Sequence, residues 1–412
     1  MVNSSLVSTQ NHVESPFIIL KIGKYTFGHC DKIYKNNLQT SFGITYPNYM
    51  ESLDVVKLSG AVNTYTINMI YAITQTDDPN LLEKVFSSVS DSRTVKISYG
   101  DWNAPSFIYK EEEAIITKLT TRVNLDNSTI NYTLQCTSTC LPMTSGLFSF
   151  PSRRIQPSAV IIELLNNKSY GLHNLFPGML HKDPSRFVAT DDQIVHIEAK
   201  PSIALLDYIN YLVSCMVFTG DNSTQLKTSC YFWSTFDDFT GEFGGTYFKV
   251  QRVSVNTPTL SYNTYEIDIG YPTSNYIVNF TINNDDSWSL LYNYSKDISL
   301  PEYTYHIDDN GNMVSTESSM VTASSSTYTT NEATRNWWSL VTQFPITATL
   351  TMKGLLRPAM LMSYVKLNVY FYGHKHVSSG LYVINKQQDS IRSSGYRTTL
   401  SLIRVGGDEY YA

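Results

Sequence analysis

The sequence predicts a mainly β protein with some α, of the α+β class, and three observations carry that prediction. Thirty of the 412 residues are tyrosine, and Thr, Val and Ile are abundant; aromatic and β-branched side chains fit a pleated, half-buried surface. Segments near both ends alternate apolar and polar residues with a period of two, as strands with one buried face do. Apolar residues at helical spacing are concentrated in the middle of the chain, with single helical stretches on either side. With 42% hydrophobic and 16% charged residues, the chain is too apolar and too weakly charged for disorder. Its length is enough for about two to four cores.

Taken in order, 1–145 reads as a compact β unit with one helix. Residues 17–22 form a short buried strand. Tyr65, Ile67, Met69, Tyr71 and Ile73 alternate with smaller or polar residues. Asp78 and Pro79 supply an N-cap and a first-turn proline, and Leu81, Leu82, Val85, Phe86 and Val89 follow at helical spacing, so a helix is predicted over 79–89. Residues 94–99 form a strand that a Gly100-Asp101 turn ends. Strands over 114–123 and 129–136 close the unit, with a hairpin loop at 124–128 and Ile130, Tyr132, Leu134 and Cys136 on one face.

The region 146–228 is read as an α+β connecting unit. Its best helix follows Pro201, with Leu206, Ile209, Val213 and Met216 on a seam that Leu205 and Leu212 widen. A second helix begins near Ser158, and the prolines and glycine around 175–184 predict an irregular connection. The region 229–305 returns to β patterns at 231–233, 247–250, 265–269 and 276–282. In 306–412 a Ser/Thr-rich loop at 314–330 precedes a helix over 331–342 that Pro345 stops. Four alternating strands then follow at 346–352, 365–371, 380–385 and 398–403, a spacing that makes a small antiparallel barrel or sandwich. Since both ends close on long alternating strands, two barrels of similar topology are expected at 1–145 and 306–412.

Glu111, Glu112 and Glu113 could supply paired carboxylates for glycoside hydrolysis, but beside Lys110 they read as a solvated strand entrance. His374 and His376 would share a strand face and lack a legible third ligand, so exposed turn histidines are expected. Cys136 and Cys140 form C-x3-C without a second pair, and the five cysteines are read as buried or free thiols of a chain folded in a reducing cytoplasm. Trp337 and Trp338 could stack on sugars or bases; on a helix at least one reads as core. There is no G-x-S-x-G, P-loop, H-E-x-x-H or dinucleotide fingerprint. No catalytic, cofactor-binding or metal-ligating residue is assigned, and no cofactor is expected. A net charge of −6 with scattered Lys and Arg argues against tight nucleic-acid binding. No apolar run reaches the roughly 20 residues of a membrane helix, and no secretory signal is visible at the start.

The segment from Pro345 to Asp408 is the most informative. "PITATLTMKG", then Ser379, Gly380, Tyr382 and Val383, then Gly395, Tyr396, Arg397, Thr398, Leu400 and Leu402 resemble the closing region of baseplate and tail hub proteins of contractile-tailed bacteriophages and related injection systems. "VKISYGDW" (95–102), "EEEAIITKLTTRVN" (111–124) and "TYFKV" (246–250) resemble the first barrel and part of the middle. The likeness is strongest over 300–412 and weakest over 146–300.

That resemblance implies a structural virion protein with two tube-type β-barrels per chain. Three protomers would place six barrels in a ring, so that a threefold hub meets a sixfold tail tube. The implied partners are two further copies, the tail tube protein, the central spike and other baseplate proteins, with genomic DNA as transiting cargo and no membrane insertion. Assembly in the host cytoplasm into the tail baseplate is expected, and the acidic excess predicts a neutral to acidic channel wall. The chain ends soon after its last barrel-like strand, which favours a hub over a siphophage-type tail-associated protein. A carbohydrate-binding adhesin of the tail tip would share the Tyr and Trp richness; a peptidoglycan hydrolase lacks its catalytic set.

Overall fold

The computed structural model describes residues 15–29, 46–47, 49–72, 85, 93–101, 108–170, 187–216, 225–236, 243–254, 264–270, 276–284, 305–307, 313–315, 346–354, 361–376 and 378–406. Of the expected elements, the irregular stretch at 175–184, the helix over 331–342 with Trp337 and Trp338, and the Ser/Thr-rich segment beyond residue 315 lie outside the described residues. Within the helix expected over 79–89, Val85 is described; it is helical and buried.

The first part of the chain is a run of strands: β1 (Pro16–Ile22), β2 (Tyr25–His29), β3 (Tyr46–Pro47), β4 (Met50–Leu58), β5 (Thr64–Ala72), β6 (Thr94–Asp101), β7 (Ile108–Asn124) and β8 (Thr129–Ser138). The period of two is realised residue by residue. Tyr65, Ile67, Met69 and Tyr71 of β5 and Ile130, Tyr132, Leu134 and Cys136 of β8 are all buried, and the two strands pair along their whole length, Tyr65 opposite Cys136 through Tyr71 opposite Ile130. Gly100 and Asp101 do not form the expected turn. They extend β6 and pair with β7 and β1, Gly100 opposite Ile108 and Asp101 opposite Pro16. Glycine reads as a breaker from sequence, but an extended backbone with partners on both sides satisfies its amides just as well.

The middle contains α1 (Pro142–Ser145), β9 (Leu147–Phe150), β10 (Arg153–Ile155), α2 (Pro157–Asn166), β11 (Val195–Ile197), β12 (Lys200–Ala204), α3 (Leu205–Ser214), β13 (Gln225–Phe236) and β14 (Phe243–Ser254). Helix α2 begins at Pro157, whose fixed φ suits a first turn. Its free N-terminal amides meet a remote carboxylate: the Ser158 N–H donates to Asp192 Oδ2 at 2.9 Å, and the Ser158 hydroxyl donates to Oδ1. In α3, Leu205, Leu206, Ile209, Leu212 and Val213 are buried, as the seam predicted, and Met216 just beyond it is buried with them.

The remaining strands are β15 (Thr264–Ile269), β16 (Ile277–Asn284), β17 (Tyr305–Ile307), β18 (Met313–Ser315), β19 (Ile346–Lys353), β20 (Tyr364–Phe371), β21 (His374–Lys375), β22 (Gly380–Arg392) and β23 (Gly395–Gly406). One 15-stranded sheet runs through both ends of the chain in the order β16-β19-β23-β22-β4-β5-β8-β7-β6-β1-β2-β3, with β20 branching from β22 and carrying β15 and β21. β15 and β16 lie in the stretch read as a separate β-rich region at 229–305. They pair with strands of the last region instead, β15 parallel to β20 and β16 antiparallel to β19.

Among the described residues, three clusters of buried side chains form the core. One lies within β1–β8, one around α2, α3 and the β13–β14 ribbon, and one around β19, β20 and the first half of β22. Among the described residues, no helix is long and apolar enough to cross a membrane.

Candidate functional site at the seam between the two ends of the chain

The two ends meet along β22. Its first half pairs with β20, Tyr382 opposite Val365, and packs in the C-terminal cluster. Its second half pairs with β4, Lys386 opposite Leu58 through Arg392 opposite Ser52. Between the halves the register with β23 shifts at Asn385, a β-bulge. The extra residue is tied down: Ser59 donates through its N–H to the Asn385 carbonyl at 3.1 Å and through its hydroxyl to Oδ1 at 2.6 Å. Past the bulge Gln387, Asp389 and Ile391 point inward, and Ile391 joins the N-terminal cluster.

A second bulge aims the opposing acid. In β7 the register with β6 slips between Tyr99–Tyr109 and Ile97–Glu112, and Glu111 takes φ 57°, in the left-handed region. The Glu111 N–H, freed from the ladder, donates to Ser98 Oγ at 2.8 Å. One extra residue on β7 therefore turns both Tyr109 and Glu112 to the inside.

The result is a polar cluster to which seven strands contribute, β4, β5, β6, β7, β13, β22 and β23. Glu112, Lys57, Gln387, Asp389 and Thr398 are 0–4% exposed. Glu112 accepts hydrogen bonds from Tyr65 at 2.7 Å, Tyr99 at 3.3 Å and the Ser234 hydroxyl, and its carboxylate lies 3.9 Å from Lys57 Nζ. Asp389 accepts from Thr398 Oγ1 at 2.5 Å, Gln387 Nε2 at 2.7 Å and Tyr396 at 3.2 Å. Lys57 Nζ sits 5.4 Å from the centre of the Tyr109 ring, which stacks on Tyr99. Burial, reinforced by the nearby carboxylates, holds the Tyr65, Tyr99, Tyr109 and Tyr396 hydroxyls well above the usual phenol range. Burial also raises Asp389, with Lys57 pulling the other way. Carboxylates sealed in this way, their oxygens occupied by protein donors, hold strands together and do not meet a substrate from solvent.

The β13–β14 ribbon locks the seam from one side. Cys230, Phe232, Phe248 and Val250 belong to the helical cluster, Tyr231 to the C-terminal cluster with Trp233 packed on it, and Phe236 packs on the N-terminal one. Its backbone and side chains also bond outward. The Gly60 N–H donates to the Cys230 carbonyl at 2.8 Å, and Gln251 Nε2 donates to the Met362 carbonyl at 3.3 Å.

Away from the seam, the β7–β8 hairpin projects. β6 pairs with β7 only as far as Ile115, whereas β8 continues to Thr129 opposite Asn124. Residues 117–123 are exposed, Leu125 at the tip is 85% exposed, and among the described residues no strand pairs with the outer edge of β7 over 117–124.

No family model and no curated protein matches the chain. Solved structures do. The chain is similar to the 43 kDa tail protein of prophage MuSo2 from Shewanella oneidensis, with 10% identity, a TM-score of 0.49, and 95% of this chain and 97% of that one covered. It is similar to a tail protein from Neisseria meningitidis MC58, with 11% identity, a TM-score of 0.47, and coverage of 94% and 96%. It is also similar to the E. coli c3393 protein, a type VI secretion component with structural similarity to T4 bacteriophage tail proteins gp27 and gp5, with 9% identity, a TM-score of 0.45, and coverage of 90% and 77%.

The residues singled out from sequence fall in different places. Glu112 is not part of a solvated strand entrance; it is fully buried, because the bulge at Glu111 turns it onto the core face. Glu111 and Glu113 do stay at the surface, paired with Lys96 at 3.0 and 3.9 Å. Ala114, on the core side two residues on, was the available signal for Glu112, overridden by the charge. His374 and His376 are exposed near a tight turn, and His376 bonds Ser378. Cys136 and Cys140 are free and buried, and burial pushes both thiols up to about 12. Among the described residues, no group of three or more His, Cys, Asp or Glu could hold a metal ion. Two residues that carry the sequence resemblance, Tyr396 and Thr398, are donors to Asp389. Gly354 touches the same seam: a Cβ there would sit 2.0 Å from the Tyr396 ring.

Proposed function

We propose that the chain is a non-enzymatic structural subunit of a phage-type tail hub. Three copies form a ring that joins a tail tube to a central spike around the DNA exit path. The observation that carries this reading is the single sheet through both ends of the chain, with a projecting hairpin whose outer edge pairs with no strand among the described residues. Joining the ends through β22 and β4 makes the two strand-rich units, assigned to 1–145 and 306–412, behave as one curved wall. An open edge of exposed backbone amides and carbonyls is a template for a further strand. A wall with such an edge suits a ring closed by neighbouring copies, the arrangement the motifs over 345–408 imply. Mechanical load in a ring passes along its walls, and the buried seam lies where the two units of one wall meet. The net charge of −6 suits a channel wall that avoids phosphate contacts, since each neutralised phosphate adds a salt-sensitive hold on the duplex.

The test is the mass of the purified full-length chain by native mass spectrometry, with an image of the assembled particle. A trimer is expected, and Val123→Asp combined with Leu125→Asp is expected to shift it toward monomer without changing the far-ultraviolet circular dichroism. A stable monomer or a sixfold ring of this chain overturns the reading, and so does glycan binding by the isolated protein. Glu111→Gln with Glu113→Gln should leave particles as infective as the parent.

A further inference from the structure

The seam contains a charge count that its hydrogen bonds do not balance. Among the described residues Lys57 is the one cation of the enclosed cluster, and it faces two carboxyl groups, Glu112 and Asp389, all three essentially without exposure. If both acids are ionised, the cluster holds one uncompensated negative charge away from water, an unfavourable state that a buried group relieves by taking up a proton. Glu112 lies next to the ammonium and accepts three hydroxyl donors.

Asp389 has a neighbour suited to its neutral form. Gln387 is fully buried and donates through Nε2 to Asp389 Oδ2 at 2.7 Å, while its own Oε1 has no hydrogen-bond partner. The two ends of an amide have nearly the same shape and exchange by a half-turn about the last side-chain bond. After that turn Oε1 stands where Nε2 stood and accepts a hydrogen bond from a neutral Asp389, while Nε2 takes the place Oε1 held. Oε1 then has a donor and the surplus charge is removed. The other groups around Asp389 keep their roles: Thr398 and Tyr396 from β23 still donate to its Oδ1. Tyr65, Tyr99 and Ser234 from β5, β6 and β13 still serve Glu112 of β7. Lys57 of β4 and Tyr109 of β7 lie between the acids.

We propose that the seam is a proton-loaded lock, in which Asp389 carries a proton at neutral pH and gives its hydrogen bond to Gln387, and losing that proton weakens the junction of the two ends. The burial that raises Asp389 sets the sign. With the folded-state value above the unfolded one, the folded chain holds a proton that the unfolded chain releases. Stability therefore falls as pH rises from the ordinary aspartate range through the folded-state value, and is level above it.

The experiment uses infrared spectra of the full-length protein in water and heavy water at neutral pH, for the parent, Asp389→Asn, Glu112→Gln and Gln387→Met. A carboxylic-acid carbonyl band is expected in the parent, lost in Asp389→Asn and in Glu112→Gln, where Lys57 balances Asp389 alone, and moved to higher frequency in Gln387→Met, which removes its acceptor. Thermal midpoints should fall more steeply with rising pH for the parent than for Asp389→Asn. The parent spectrum alone is decisive if a variant does not fold: no acid band overturns the proposal. A band that survives Asp389→Asn, or parallel pH profiles for the two proteins, overturns it as well.

Discussion

The core enclosed by β1–β8 and the core around β19, β20 and β22 are both built from antiparallel strands, yet they bury different chemistry. The first is rich in tyrosine: Tyr65, Tyr71, Tyr99, Tyr109 and Tyr132 are all at most 2% exposed. The second is mostly aliphatic, with Leu350, Met352, Val365, Leu367, Val369, Leu400 and Leu402. A phenol brings a large apolar surface and one hydroxyl that must find a partner when buried. The tyrosine-rich core therefore needs an acceptor inside it, and Glu112 is that acceptor for two of its rings. A buried carboxylate in turn needs a cation, which β4 supplies as Lys57. Aliphatic side chains make no such demand. The C-terminal core accordingly accepts β15 and β16, from remote parts of the chain, mainly by shape and backbone pairing, with Asn368 and Lys366 of β20 bonding Glu266 and Asp268 of β15 outside the apolar cluster. One core is specified by partners and the other by volume.

The largest expected effect tests the first half of that contrast. Lys57→Met leaves the enclosed Glu112 carboxylate without its cation, and a loss of about 3–5 kcal/mol is expected, read from the midpoint of denaturant unfolding. A loss under about 1 kcal/mol would mean that the polar cluster contributes little and that both cores are governed by volume. Next, Leu350→Ala in the aliphatic core should cost about 2–5 kcal/mol through lost burial and the cavity left behind. Its cost should not depend on pH, whereas that of Lys57→Met should, and a shared pH dependence would erase the distinction.

The smallest effect sharpens the contrast at the surface. Glu111, beside the buried Glu112, is over a third exposed, and the Lys96 ammonium hydrogen-bonded to it, aided by Lys21, holds its carboxyl below the usual range. Its lowered value means that its contribution is present above the unfolded value of about 4.3 and is lost as pH falls through the folded one. Solvent screening limits that contribution to about 0.5 kcal/mol. Urea midpoints of Glu111→Gln and the parent should differ slightly near neutrality and converge once the pH has fallen through the lowered folded-state value. A cost near that of Lys57→Met would show that adjacent residues of β7 are not separated by burial as the bulge requires.

Local pattern was enough to place much of this chain. The alternation in 65–71, 130–136, 346–352 and 365–369 placed the apolar side chains on the buried face, because a strand's faces are set by its own period of two. It failed at the end of β20, where Phe371 is exposed, and at Asn368, which is buried. The seam of α3 and the hairpin at 124–128 were legible for the same reason, since spacing and turn residues act within a few positions. What tertiary structure alone decided is which strands meet and which charges they enclose. Nothing local to 386–392 names 52–58 as its partner, and no residue near Glu112 announces a lysine on β4, a serine on β13 or tyrosines on β5 and β6. A carboxylate in isolation belongs in water, where its solvation is worth more than burial. Only the assembled neighbours reverse that balance, and the two bulges that aim them, at Glu111 and Asn385, are registers between strands that no single segment of sequence contains.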